Sequence, residues 1–261
     1  MTAEAAAAQP SQLEIGRVAK LTAAFYGRHW AWLSALGAPL VLVPDLANDW
    51  LIPSTPIAAA IKSAGFAGGF LRNVIAAGVA AIPSAIFISL VAHKVAAEIS
   101  GEHDGGARNG LRALPQVLLT KLLCDVGVTI GRALLVIPGL ILSLAWSVAG
   151  PVAALEHAGP IESLRRSADL TRDRRGAIFL LALIYTLIQG IASLGLAEVI
   201  IAAITGSAFS VKAPTAIARA VLDAVNLPIS LAWYAGVPIL YHELLGVRRG
   251  AGLRSLVAVF D

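Results

Sequence analysis

The sequence predicts an all-α integral membrane protein of about six transmembrane helices, built as three repeats of an interfacial amphipathic helix followed by a two-helix hairpin. Three observations carry this. Of 261 residues, 57% are hydrophobic and 14% charged, against about 25% charged in soluble domains. The 20 lysines and arginines and 16 acidic residues are too few to cover a domain of this size in water, and the mean hydropathy is +0.78. Second, the runs 74–92, 138–155, 177–197 and 224–241 contain no Asp, Glu, Lys, Arg or His, and about 20 apolar residues make a helix that crosses the hydrocarbon. Third, one motif recurs at a fixed offset along the chain.

Taken in order, residues 1–12 are expected to be disordered. Residues 1–9 are acidic and alanine-rich and lack the basic start and apolar core of a cleavable signal, so the start of the chain is expected to stay inside. A single membrane domain is expected over 13–249, with approximate spans 30–47, 74–97, 117–137, 138–156, 177–204 and 218–243, then a cytoplasmic tail over 250–261. The first span is short unless it extends back past His29 and Arg28, and the third carries Lys121, Asp125 and Arg132. Of the 20 lysines and arginines, fifteen are assigned to one side, Lys94 and Lys121 at span ends among them, and five, Lys62, Arg72, Arg132, Lys212 and Arg219, to the opposite side and span interiors. The positive-inside rule makes the side of the fifteen cytoplasmic. A multi-pass protein of the bacterial inner membrane with both termini cytoplasmic is therefore expected.

A basic amphipathic segment precedes each odd-numbered span. Ile15, Val18, Thr22 and Phe25 share a face of the first, and Leu111 and Leu114 mark the second. Gly159 and Pro160 open the third, proline being favoured at a first helical position. There Ile161, Leu164 and Ala168 stand opposite Arg165, Arg166, Asp169, Arg172 and Asp173. Such helices lie in the interface with the apolar face toward acyl chains; a solvated helical linker is the other reading.

The repeated motif closes the even spans. Ser143, Leu144, Ala145, Trp146, Pro151, Glu156 and Gly159 return 87 residues later as Ser230, Leu231, Ala232, Trp233, Pro238, Glu243 and Gly246. A fainter copy keeps Glu98 and Gly101, with Pro83 standing before Glu98 as Pro228 stands before Glu243. The glycines suit left-handed helix caps and the prolines suit kinks. The two tryptophans, lying mid-span, are expected to pack rather than anchor. A carboxylate at a helix C-terminus opposes the helix dipole, so Glu98, Glu156 and Glu243 are expected to pair with arginines of the adjoining segments, such as Arg112, Arg165, Arg166 or Arg248.

The stretch Ile137, Pro138, Gly139, Trp146, Pro151, Glu156, then Glu162 to Ser167 and Leu170, Thr171, Arg172 before an apolar span resembles the membrane domain of the bacterial glycerophosphoryl diester phosphodiesterase family and related polytopic membrane proteins. The resemblance covers residues 15–249 and is most specific over 138–171. It implies a bundle of about six helices, which in that family is sometimes fused to a soluble catalytic barrel. No segment here is expected to fold into a barrel, so the resemblance implies no catalytic activity.

Chemistry is sparse. The lone Cys124 excludes an intramolecular disulfide, a zinc ribbon and a cysteine-ligated iron–sulfur cluster. Glu156 and His157, and His242 and Glu243, are adjacent pairs, but sequence neighbours do not share a helix face and no ligand spacing occurs. No Gly-x-Ser-x-Gly elbow or phosphate-cradling glycine loop is present. No metal, cofactor or nucleic acid is therefore expected. Gly65 with Gly69 and Gly127 with Gly131 have the spacing that lets membrane helices approach. Ionisable residues within spans are functional candidates by default. Lys121, Asp125 and Arg132 share a face of span three, while Glu198, Arg219 and Asp223 form a second set; interhelical ion pairing and transport are both open to them.

The expected function is non-enzymatic, that of a lipid-interacting, accessory or scaffold protein. It would act through a basic cytoplasmic surface made by Arg165, Arg166, Arg172, Arg174 and Arg175. Membrane lipids, anionic ones above all, are the expected partners, with a protein partner also open. The alternative is a small-solute or lipid transporter using span three.

Overall fold

A backbone in apolar surroundings must satisfy its own N–H and C=O groups, and a helix does so within one segment. In the computed structural model, which describes residues 15–46, 65–100, 106–197, 199–200 and 216–260, every regular element is accordingly helical and no strand occurs among those residues. The expected disorder of 1–12 and the acidic Glu198 lie outside the described residues, as does the side chain of Arg219.

The elements are α1 (Ile15–Leu46), α2 (Gly65–Ser100), α3 (Gly106–Leu134), α4 (Val136–Ala145), α5 (Ala149–Leu155), α6 (Pro160–Thr171), α7 (Arg175–Ile191) and α8 (Ala216–Phe260). A 3-10 turn, Arg172–Arg174, joins α6 to α7, and a π-helical turn, Ala192–Ala197, extends α7. Four stretches are long and apolar enough to cross a membrane: Gly68–Ser100, Val136–Leu155, Pro160–Gly195 and Leu222–Arg248. These match four of the six expected spans. The segments 30–46 and 117–134 are helical but are not among these four, and the expected first span runs on into residues outside those described. The helix α1 bends at His29 (φ −119°, ψ 18°), where the amphipathic segment was expected to give way to span one. Helix α3 instead runs unbroken through Pro115, and α8 continues through the segment expected to be a tail.

Two clusters make the core. Leu33, Phe87, Ile178, Leu231, Leu240 and Leu244 join α1, α2, α7 and α8. Ala85, Ala92, Ala113, Ala153 and Ala154 bring α2, α3 and α5 together through small side chains, as membrane helices do when backbones approach closely. The legs of the α3–α4 hairpin meet where a Cβ on Gly131 would lie 3.0 Å from the Gly139 Cα, and the Trp146 ring covers Gly127. Gly127 and Gly131 thus serve packing inside the bundle. Open space surrounds Gly65 and Gly69, which do not.

The fourth span is broken. Pro151 lacks an N–H and its ring would clash with the carbonyl four residues back, and the chain turns over 146–148. The Ala149 amide bonds the Trp146 carbonyl at 3.1 Å, leaving the Ala145 carbonyl without its helical partner. The Ser167 hydroxyl donates to it at 2.8 Å, and the Thr171 hydroxyl, 2.9 Å from the Ser167 carbonyl, also lies within reach at 3.2 Å.

That pairing sets which face of α6 turns into the bundle, and the three amphipathic segments differ in this. In α6 the buried face is Ser163, Ser167, Leu170 and Thr171, while Ile161 is 61% exposed. A carbonyl freed within the bundle needs donors, so the hydroxyl face turns inward. In the first segment, Val18 and Phe25 lie in the core rather than toward acyl chains. In the second, Leu111 is exposed, and Gly110, Ala113, Val117 and Thr120 are buried, with the Ser89 hydroxyl donating to the Gly110 carbonyl at 2.7 Å.

The expected glycine caps are also corrected. His157 takes the left-handed conformation (φ 51°), Gly159 has φ −61° at the N-terminus of α6, and α8 passes through Gly246 without stopping. The turn into α6 comes two residues earlier than the glycine, and Gly101 lies outside the described residues.

Candidate functional site

The three carboxylates expected to close the hairpins stand at one end of the bundle, each with a basic partner. Glu98, in the last turn of α2, accepts from Arg28 Nη1 at 3.4 Å and from His29 Nε2. Glu156, just past α5, meets Arg166 Nε at 3.3 Å and accepts the Tyr241 hydroxyl at 2.9 Å. Glu243 on α8 pairs with Arg17 Nε at 3.2 Å and is 13% exposed, the most sheltered of the three. The need for compensation arises from the placement of the carboxylates. At Glu98 and Glu156 the last carbonyls of a helix are already negative.

Of the four arginines expected as partners, only Arg166 is one. The other pairings come from α1, whose first half reaches from Glu243 on α8 to Glu98 on α2. Arg248 instead donates to the Asp169 carbonyl at 2.8 Å, tying α8 to α6. The result is a collar that joins α1, α2, α5, α6 and α8 at their charged ends. Beside it a recess of about 780 Å³ is lined by Arg17, Leu21, Ile99, Tyr241 and Glu243. His93, buried on α2, stands at ring distance from His157, 6.4 Å between centroids. Its Nδ1–H donates to the Ser89 carbonyl at 2.9 Å, which fixes the tautomer. Among the described residues no three His, Cys, Asp or Glu side chains gather at metal-binding range.

The five arginines expected to form the basic surface are not equivalent. Arg165 and Arg172 are exposed, Arg166 is paired with Glu156, and Arg174 and Arg175 are half-buried at the start of α7. Arg175 Nε is buried without a hydrogen-bond partner. They lie on one continuous path, α6 to the 3-10 turn to α7, so the basic cluster leads directly into an apolar helix.

Residues 65–231 match a family described as a domain of unknown function, DUF7847. The chain belongs to the DUF7847 family. No curated protein and no solved structure matches it. The DUF7847 region holds Glu98, Glu156 and all five arginines of 165–175, whereas Arg17, Arg28, His29, Tyr241 and Glu243 lie outside it. Half of the collar is therefore supplied by segments flanking the family's shared part.

The charged face of span three is organised differently from its expected pattern. Lys121 pairs with Asp125 one turn on, both half-buried, while Arg132 is exposed near the hairpin tip. Asp125 is thus neutralised within its own helix. Sequence reasoning missed Arg17, Arg28, His29 and Tyr241 as partners, and Ser167 and Thr171 as donors to a broken helix. For the hydroxyls a signal was present, a serine-serine-threonine spacing of four at 163, 167 and 171, which puts them on one helix face.

Proposed function

We propose that this chain is a non-enzymatic multi-pass protein of a bacterial inner membrane whose basic, cytoplasmic end holds anionic lipid. The observation that carries the reading is α7. Only 6% of the apolar window in Pro160–Gly195 is buried, against 33–41% in the other three candidate spans. Leu180, Leu183, Ile184, Leu187 and Ile188 are all exposed. An apolar surface of that extent is stable in hydrocarbon and a liability in water. Hydrocarbon around α7 sets the arginines that open it at headgroup depth, where each contributes about 1 kcal/mol near an anionic surface.

On this reading the chain is three units, each an amphipathic segment and a hairpin, making six spans with both termini cytoplasmic. Burial supports the repeat: residues 151–154 and 238–241 are all buried, and 155 and 242 are both half-exposed. The likeness to the glycerophosphoryl diester phosphodiesterase membrane domain is architectural and carries no catalysis with it. Transport through span three has less support, because Asp125 is already held by Lys121.

The test is lipid selectivity in reconstituted vesicles, read with spin-labelled phosphatidylglycerol and phosphatidylcholine. Wild type is expected to prefer phosphatidylglycerol, more strongly at low salt than at high. Replacing Arg165, Arg166, Arg172, Arg174 and Arg175 with Gln is expected to abolish most of that preference. The exposed pair alone, R165Q/R172Q, is expected to lower it without touching the Glu156 bridge. Equal selectivity in all three proteins overturns the lipid reading and leaves a protein partner as the better account.

A further inference from the structure

A groove runs down the outside of the bundle between α1, α7 and α8, and the described side chains do not fill it. Its volume is about 490 Å³, inside the range of small-molecule sites, roughly 300–1,000 Å³. Thr22 and Tyr26 line it from α1, Ile184 and Ile188 from α7, and Trp233 and Leu240 from α8, and its surface is almost wholly apolar. The Thr22 hydroxyl already donates to the Val18 carbonyl at 2.8 Å.

Dimensions and charge decide what suits it. The groove follows α8 from Pro228 to Leu240, about 18 Å at roughly 1.5 Å per residue. A hydrocarbon core is about 30 Å thick, so this is close to the depth of one leaflet. A single extended acyl chain is far narrower than a helix, which with its side chains is about 10 Å across. One end of the groove is the charged collar, since lining residues Val18 and Leu240 stand beside Arg17 and one turn before Glu243, which pair at 3.2 Å. Lys20 is exposed next to lining residue Ala19. Arg174 and Arg175 open α7 about 9 Å before lining residue Leu181, at roughly 1.5 Å per residue. No lining residue is itself charged, and at the other end the described charge on α8 is acidic, Asp223, five residues before lining residue Pro228.

We infer that the groove seats one acyl chain of an anionic glycerophospholipid from the collar-side leaflet, its phosphate held between Lys20 and the arginines that open α7. This rests on the membrane reading above and adds a discrete site to it. Burying the chain between three helices removes it from the exchanging lipid around the protein, and the basic end selects the headgroup.

The experiment uses the full chain reconstituted in vesicles of phosphatidylglycerol and phosphatidylcholine, released gently into detergent and weighed intact by native mass spectrometry. Wild type is expected to retain one phosphatidylglycerol per chain. Ala23→Trp fills the groove from an exposed lining position and is expected to lower the retained fraction about tenfold, a loss of ~1.4 kcal/mol. Ala24→Trp, exposed on the same turn but outside the lining, is expected to retain lipid as wild type does. Retention by A23W at the wild-type level, retention without headgroup preference, or no retained lipid on wild type each overturns the inference. The broader reading fails separately. Loss of the inferred site alone leaves the spin-label preference for phosphatidylglycerol intact, whereas protein stripped from vesicles by an alkaline wash was never embedded and overturns both.

Discussion

Ala145 shows what a single carbonyl can demand of a neighbouring helix. Its helical partner is lost at the Pro151 break, and α6 supplies the replacement, the Ser167 hydroxyl, with the Thr171 hydroxyl within reach as a second donor. Leaving a buried acceptor unsatisfied costs about 1–3 kcal/mol. Ser167→Ala and Thr171→Val should therefore each be tolerated, because one hydroxyl can serve when the other is gone. The double variant should be destabilised by more than the sum of the two, as read from thermal unfolding in detergent; simple additivity would mean the carbonyl finds another donor. Glu156 is a second residue with two ties, to Arg166 and Tyr241. Tyr241→Phe should cost about 1 kcal/mol, the net worth of one hydrogen bond, and unchanged stability would show the hydroxyl bond to be replaceable by solvent. That the three glutamates need cations was legible in the sequence, from their recurrence at helix ends. Which cations answer was not: Arg28 lies 70 residues from Glu98, and nothing local marks it.

At the level of elements, charge-free apolar runs found four of the six expected spans but gave no sign that the first amphipathic segment buries Val18 and Phe25 in the core or that α6 turns its hydroxyls inward. Hydrophobicity patterns treat serine and threonine as outward residues, which holds when water is the only source of hydrogen-bond partners. Inside a bundle with a broken helix, the carbonyl on α4 outbids solvent for those hydroxyls, and α6 rotates its polar small face inward. Small-residue spacing was the more reliable guide, and it makes a prediction. Gly131→Leu should destabilise the α3–α4 hairpin by about 1–3 kcal/mol through overpacking, since its Cβ would meet Gly139 backbone rather than a yielding side chain. Gly69→Leu, facing open space, is the matched control, and equal effects at the two sites would contradict the packing account. The tip of the same hairpin, Leu134, Leu135, Val136 and Ile137, is apolar and at least 67% exposed at each position. On the six-span reading this turn lies at the far membrane face, and an apolar surface of that extent dips into the interface rather than standing in water. With Cys124 replaced by Ala, Leu135→Cys should react slowly with water-soluble maleimides and be quenched by lipid-phase quenchers. Fast aqueous labelling would put the tip in water.

For the whole molecule, the scarcity of charge points to lipid as the solvent, and the placement of the remaining charges sets the proposed polarity of the bundle. The collar was partly legible, because arginines and hairpin-closing glutamates were already assigned to one side of the membrane. The closure of the first segment onto the last helix through Arg17 and Glu243 was not, since it joins residues at opposite ends of the chain. Nor was the groove beside α7, which depends on how little that helix is buried. The central claim is that the basic end faces the cytoplasm from within a membrane. The most direct measurement is the labelling of Arg165→Cys, in the chain whose Cys124 is replaced by Ala, with a membrane-impermeant maleimide in intact cells and in inverted inner-membrane vesicles. Labelling in inverted vesicles and protection in intact cells is the predicted result; labelling from outside intact cells, or recovery of the protein in the soluble fraction, would contradict it.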